Sequence, residues 1–419
     1  MFASTRIRAC SLPLIASLTL VQIASADDLA EAQALHRSLL TLDTHVDFSL
    51  RDFTEERNLT GDLDGVQVDL PKMAAGGLDA AFFVVYTPQG PRNDEAYRQA
   101  HQQASANFDA IHRLTGEWGA GRIALATAPE EVSRLASGDQ QVALIGVENA
   151  YPLGTSLERV DEFYRRGARY MGILHNGHNQ FGDSNFPKGD DPHEIHGGLS
   201  SLGEQLVDKL NDTGIVIDIS HASRKTRLDI IRRSRYPVVD SHSALSAFYN
   251  HKRNIDDEVL AALVEKGGVV QIVAFQSYLA ATPEKKLDAI NELAATYGFP
   301  PGNVWTEDNR IFAHFAKASR EQAVGYWRGF RELEQNMPHA SVSDLVDQVD
   351  YVARRFGIDH VGIASDFGGG GGIAGWRDAS ETHNVTRELV KRGYSKQDIE
   401  KIWSGNFLRV WRAVASAAH

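Results

Sequence analysis

Eight short stretches of this 419-residue chain are apolar on both faces, and they recur with helical segments between most of them. They run over Leu40–Asp47, Gly77–Tyr86, Gln141–Glu148, Ala168–Leu174, Ile215–His221, Pro237–His242, Gly268–Val273 and His360–Asp366. A strand whose two faces are both apolar belongs to a parallel sheet covered by helices, because an antiparallel sheet with one wet face alternates instead. Helical spacing fills much of the remainder: Asp27–Leu39, Pro71–Gly76, Asp94–Thr115, Leu157–Arg166, Leu202–Asn211, Ser223–Ser234, Asp256–Lys266 and Val342–Phe356. Eight such units predict a closed α/β barrel of the (β/α)8 TIM type, with a helical insertion near residues 278–341 between the seventh and eighth strands. The competing architecture is an open doubly wound sheet. It wants a glycine-rich turn after the first strand, where this chain has Thr44-His45-Val46-Asp47.

Polar residues gather at one end of these strands. The first ends in His45 and Asp47, the third in Glu148, the fourth at His175, the fifth at His221, the sixth at His242 and the eighth at Asp366. The carboxyl ends of all barrel strands open on one face, so seven candidate ligands or proton carriers would meet at one mouth. His45 and Asp47 are two apart on a strand and point the same way, which lets an imidazole and a carboxylate converge on one ion. His221 and His242 offer ligands for a second ion, and Glu148 is the remaining carboxylate able to hold both. Two divalent ions about 4 Å apart can share a hydroxide, since metal binding draws the pKa of water toward about 7. No lysine ends one of these strands, so a carboxylated lysine bridge is not supported.

The formal charge of −12 argues against nucleic acid as a partner. Arg6 and Arg8, the apolar run Leu12–Ile23 and the small-residue pattern Ala24-Ser25-Ala26 read as a secretory signal over residues 1–26, cleaved before Asp27. Cleavage would leave residues 27–419 as a single domain with no membrane span, exported to the periplasm or secreted. It would also remove Cys10, the only cysteine, and with it any disulfide, thiolate ligand or cysteine nucleophile.

Seven ordered motifs cover nearly the whole of residues 27–419: Asp43-Thr44-His45-Val46-Asp47, Leu174-His175-Asn176-Gly177-His178-Asn179, Asp218-Ile219-Ser220-His221-Ala222-Ser223, Ser241-His242-Ser243, His251-Lys252-Arg253-Asn254, Gly362-Ile363-Ala364-Ser365-Asp366-Phe367 and Gly405-Asn406-Phe407-Leu408-Arg409-Val410. Together they resemble the renal (membrane) dipeptidase family of the amidohydrolase superfamily. The resemblance implies a (β/α)8 barrel with two zinc ions per chain, bridged by Glu148 and a hydroxide. It implies hydrolysis of dipeptides, including those with a D-residue at the C-terminal position. His45 and Asp47 match the ligands of one zinc, and His221 and His242 those of the other. His175 matches the donor to the scissile carbonyl oxygen and its oxyanion, and Asp366 the proton shuttle that contacts the leaving amine. Arg253 matches the clamp on the substrate carboxylate, with Tyr278 assisting it. Homodimers are common in the family.

Two motifs depart from the family pattern. Glu148-Asn149-Ala150 stands where Glu-Gly-Gly is usual. Asp366-Phe367-Gly368 runs into Gly369–Gly372, five consecutive glycines that suggest a mobile loop at the mouth. Another amidohydrolase reaction, such as hydrolysis of N-acyl-amino acids or lactones, would use the same metals.

Overall fold

Parallel neighbours cannot be joined by tight turns, so each strand must return through a crossover segment that packs outside the sheet. The computed structural model describes residues 26–416 except 139, 189–190 and 303–317, and follows this rule. Nine strands occur among the described residues: β1 (Leu42–Val46), β2 (Ala80–Tyr86), β3 (Ile123–Leu125), β4 (Gln141–Glu148), β5 (Ala168–Gly172), β6 (Val216–Asp218), β7 (Val239–Ser243), β8 (Val269–Val273) and β9 (Val361–Ala364). All pairings are parallel, in the order β1-β2-β4-β5-β6-β7-β8-β9. Just past the last strand, Asp366 N–H donates to the His45 carbonyl at 3.1 Å and Asp47 N–H to the Phe367 carbonyl at 2.8 Å, which brings the ends together. The chain is a nearly closed (β/α)8 barrel.

β3 is the strand the sequence does not announce. Its three residues pair with the start of β4, Ile123 opposite Gln141, on the edge that β5 occupies further along.

The two apolar faces have different partners. Leu42, Phe82, Leu144, Tyr170, Val216, Val239 and Val269 form an inner cluster with Phe407 and Trp411 of the helix Asn406–Ala415. Phe82 and Phe407 meet with ring centroids 4.9 Å apart. That helix therefore plugs the amino-terminal end of the barrel. The alternate residues Phe83, Ile145, Met171, Ile217 and Ile272 pack outward with Phe108, Leu206, Ile230, Leu263 and Val349 from the surrounding helices. Gly146 lies inside, where a Cβ would come 2.2 Å from Cζ of Tyr170. Its missing side chain makes room for a phenol that reaches up to the mouth.

The insertion carries the helices Glu284–Thr296 and Arg320–Asn336, which share a small core of Ile290, Ala294, Phe299, Tyr326 and Phe330. Buried Lys286 ties it down, pairing with Glu334 at 2.9 Å and His339 Nδ1 at 3.0 Å. Gln276 beyond β8 bonds Glu334 Oε2 at 2.9 Å and receives the His339 N–H at 2.7 Å. Phe330 and Trp327 thereby form one wall of a cleft of about 850 Å3, with Asp47, Phe48 and Gly369 across it. The proposed signal, residues 1–26, lies almost wholly outside the described residues.

Candidate active site

The strand ends deliver their polar residues to one point, and that point is Glu148 Oε1. His221 Nε2 lies 3.0 Å from it, His242 Nε2 3.4 Å, His45 Nε2 3.8 Å and His175 Nε2 3.9 Å. His45 Nε2 is also 3.4 Å from Asp47 Oδ2 and 3.9 Å from Asp366 Oδ1. Among the described residues, three overlapping groups are close enough to hold a metal ion: His45, Glu148 and His242; Glu148, His175 and His221; His45, Asp47 and Asp366. The i, i+2 convergence of His45 and Asp47 is thus observed, although the β1 register is irregular between Asp43 and Val46.

Holding these groups costs backbone strain. Asn149, His221 and Asp366 are the only non-glycine residues with positive φ among the described residues, at 74°, 63° and 57°. Each lies at or just past a strand end that feeds the mouth. Such conformations cost about 1–3 kcal/mol each and persist where the surroundings impose them.

Hydrogen bonds behind the histidines set their tautomers. The Tyr170 hydroxyl donates to the Thr44 carbonyl at 3.1 Å, so its oxygen accepts from His45 Nδ1 at 3.1 Å. The Ser241 hydroxyl donates to Asp218 Oδ2 at 2.7 Å and accepts from His242 Nδ1 at 2.8 Å. Asn176 Oδ1 accepts from His221 Nδ1 at 3.0 Å. With Nδ1 protonated on all three, each neutral ring presents a bare Nε2. His221 Nε2 and His242 Nε2 stand 3.0 Å apart, two acceptors that cannot bond each other. His45 Nε2 is buried with no hydrogen-bond partner. A cation between them resolves every one of these contacts, and imidazole with carboxylate is a donor set that suits zinc.

The charge balance agrees. Burial pushes the His45 imidazole down, yet Glu148, Asp47 and Asp366 outweigh it and lift it to about 10. Carboxylates this close call for positive charge, and without an ion the proton on His45 supplies it. Burial raises the Asp366 carboxyl to about 8, against the pull of His45 and with help from Asp47. His175 goes the other way: burial, reinforced by Arg253, lowers it to about 3, so the ring is neutral. Burial beside Glu148 and Asp47 keeps the Tyr86 phenol protonated.

Arg253, matched by the resemblance to the clamp on the substrate carboxylate, lies beneath the mouth beside His242. It is fully buried, donates to the His242 carbonyl at 2.8 Å and to Ser243 Oγ at 3.3 Å, and sits 5.4 Å from the centroid of the Tyr278 ring. None of the described carboxylates forms an ion pair with it, and its Nε–H has no acceptor.

The glycine run, expected as a loop at the mouth, is hydrogen-bonded at several points. Gly369 and Gly371 N–H both donate to the Asp366 carbonyl, Gly372 N–H to the Ala274 carbonyl, and Gln67 spans Gly368 and Gly371. A Cβ on Gly369 would come 2.3 Å from Asp366 Oδ1 and 2.4 Å from Asp47 Oδ2. Glycine is required there because the backbone lies directly on two site carboxylates.

Sequence reasoning assigned no role to Tyr170, Asn176, Ser241 or Tyr86. Asn176 and Ser241 are signalled by standing next to His175 and His242, and Tyr170 by being a phenol inside an apolar strand. Tyr86 ends the second strand, one of two to which no chemistry had been given.

The profile of the family described as membrane dipeptidase, peptidase family M19, matches residues 29–419. The probable dipeptidase PvdM of Pseudomonas aeruginosa is 34% identical, with a TM-score of 0.81 over 93% of this chain and 99% of that one. Dipeptidase tcpJ of Claviceps purpurea is 28% identical over 380 residues, 89% of this chain and 74% of its own. A Rhodobacter sphaeroides metallopeptidase, solved with a phosphinate mimic of L-Ala-D-Ala, shares the fold at 24% identity and a TM-score of 0.67 over 90% of this chain and 99% of that one. The chain therefore belongs to the membrane dipeptidase family, peptidase family M19.

Proposed function

We propose that the chain is a two-zinc dipeptidase that cleaves short peptides, L-Xaa-D-Xaa dipeptides among them. The observation that supports this reading is the gathering of His221, His242 and His45 Nε2 within 3.8 Å of one oxygen of Glu148, with His221 and His242 turning acceptors toward each other across 3.0 Å, an arrangement that cations would satisfy. His45 and Asp47 would hold one ion, His221 and His242 the other, and Glu148 both. When bound, such ions polarise the scissile carbonyl and make water a nucleophile near neutral pH.

The chain's own residues do the rest. Asp366, against the backbone of Gly369 and close to His45, takes the proton from the attacking water and delivers it to the departing amine. Neutral His175 donates an N–H to the carbonyl oxygen as it becomes anionic. Arg253 would hold the terminal carboxylate through its unpaired Nε–H, assisted by Tyr278, whose ring lies 5.4 Å from the guanidinium. Arg253→Ala should raise KM for dipeptides at least tenfold with a smaller change in kcat; steady-state kinetics showing an unchanged KM would remove the clamp.

A library of L/L and L/D dipeptides, with N-acetylated amino acids and lactones beside them, tests the substrate class on zinc-loaded protein. Free dipeptides should be preferred, and activity confined to the other two would shift the assignment to another amidohydrolase reaction. Residues 1–26 are proposed as an export signal, so the secreted or periplasmic protein should begin at Asp27 on N-terminal sequencing; an intact Met1 in that fraction would refute it.

A further inference from the structure

Tyr86 closes β2 and is paired in register with Glu148 at the end of β4. Paired residues of a parallel ladder leave the sheet on the same face, so the phenol and the carboxylate enter the barrel mouth side by side. The Tyr86 ring stands edge-on to His175, with centroids 4.7 Å apart and planes at 61°. Its backbone is fixed from behind, since Asn107 Nδ2 donates to the Tyr86 carbonyl at 2.8 Å.

Both side chains have their polar atoms uncommitted. The Tyr86 hydroxyl bonds no described residue, and neither ring nitrogen of His175 makes a hydrogen bond to one, Nε2 lying 3.9 Å from Glu148 Oε1. The neighbouring polar groups are committed: Tyr170 to Thr44 and His45, Ser241 to Asp218 and His242, Asn176 to His221. Two neutral donors left open beside the same carboxylate suit a group that becomes negative during the reaction. An ammonium group would be met better by an anion, and the terminal carboxylate is assigned to Arg253 beyond β7, four strands around the barrel from β2.

We propose that Tyr86 is a catalytic residue, whose hydroxyl donates a hydrogen bond to the scissile carbonyl oxygen as it becomes an oxyanion, beside His175. This rests on the dipeptidase reading above. The oxyanion is then met by two uncharged side chains, from the ends of β2 and β5, on the side facing Glu148. No proton is transferred by Tyr86; it donates and keeps its hydrogen.

The test is Tyr86→Phe, which retains the ring and its edge-on contact with His175. Binding of a phosphinate dipeptide mimic, whose tetrahedral anionic oxygens copy the oxyanion, is measured by calorimetry on zinc-loaded wild type and variant. The expected result is a 10- to 100-fold weaker phosphinate affinity, a similar fall in kcat, a KM within about threefold, and unchanged metal content. The same loss is expected for a phosphinate lacking the amino group. Unchanged phosphinate affinity and kcat would overturn the proposal. So would a rise in KM alone, or a loss confined to the amine-bearing phosphinate, which would put the hydroxyl on the substrate amine. If wild type itself neither binds the phosphinate nor cleaves any dipeptide, it is the dipeptidase reading that fails, whatever the variant does.

Discussion

Asp366→Asn should keep its metal and lose turnover, with kcat down by about 10^2 to 10^4, the usual range for a positioned acid–base group. Asn preserves the shape that Gly369 packs against and the backbone bonds that Asp366 makes to His45, Gly369 and Gly371. What it lacks is a site for the transferred proton. The carboxyl is well placed for that job, since Oδ1 lies 3.9 Å from His45 Nε2 at the barrel mouth and the backbone of Gly369 packs against it. Steady-state kinetics with elemental analysis on the same sample checks this. Near-wild-type kcat would exclude the shuttle, and loss of metal would show that Asp366 acts chiefly as a ligand.

Glu148→Gln should be at least as damaging, for a different reason. The amide is nearly isosteric, so the fold should hold. It removes the negative charge at the one oxygen that His221, His242, His45 and His175 all face within 3.9 Å. Metal content should fall from two ions per chain to one or none, and activity by at least about 10^3. Retention of two ions with full activity would show that the histidines and Asp47 suffice without the bridge.

The barrel and the position of its site were legible from the sequence because they rest on strong local signals. Strands apolar on both faces require a covered parallel sheet, and His or acid residues recur where those strands stop. Other features were hidden for physical reasons. β3 has only three residues, too few for a period to register. The helix Asn406–Ala415 looks like an ordinary amphipathic terminus, and only the packing of Phe407 and Trp411 inside the barrel identifies it as the plug. Glycine content cannot by itself separate a flexible loop from a backbone pressed against carboxylates, and Gly369 proves to be the second kind. A motif names Arg253 without saying that its guanidinium would be roofed by Tyr278. The orienting groups Tyr170 and Asn176 are far in sequence from His45 and His221, so their tautomer-setting bonds exist only once the barrel brings them together, whereas Ser241 is the chain neighbour of His242.

Anomalous X-ray scattering at the zinc edge, from crystals of zinc-loaded protein, tests the central claim most directly. Two peaks are expected on either side of Glu148, one bounded by His45 and Asp47 and the other by His221 and His242. A map with no peak touching Glu148, from crystals grown in excess zinc, would contradict it.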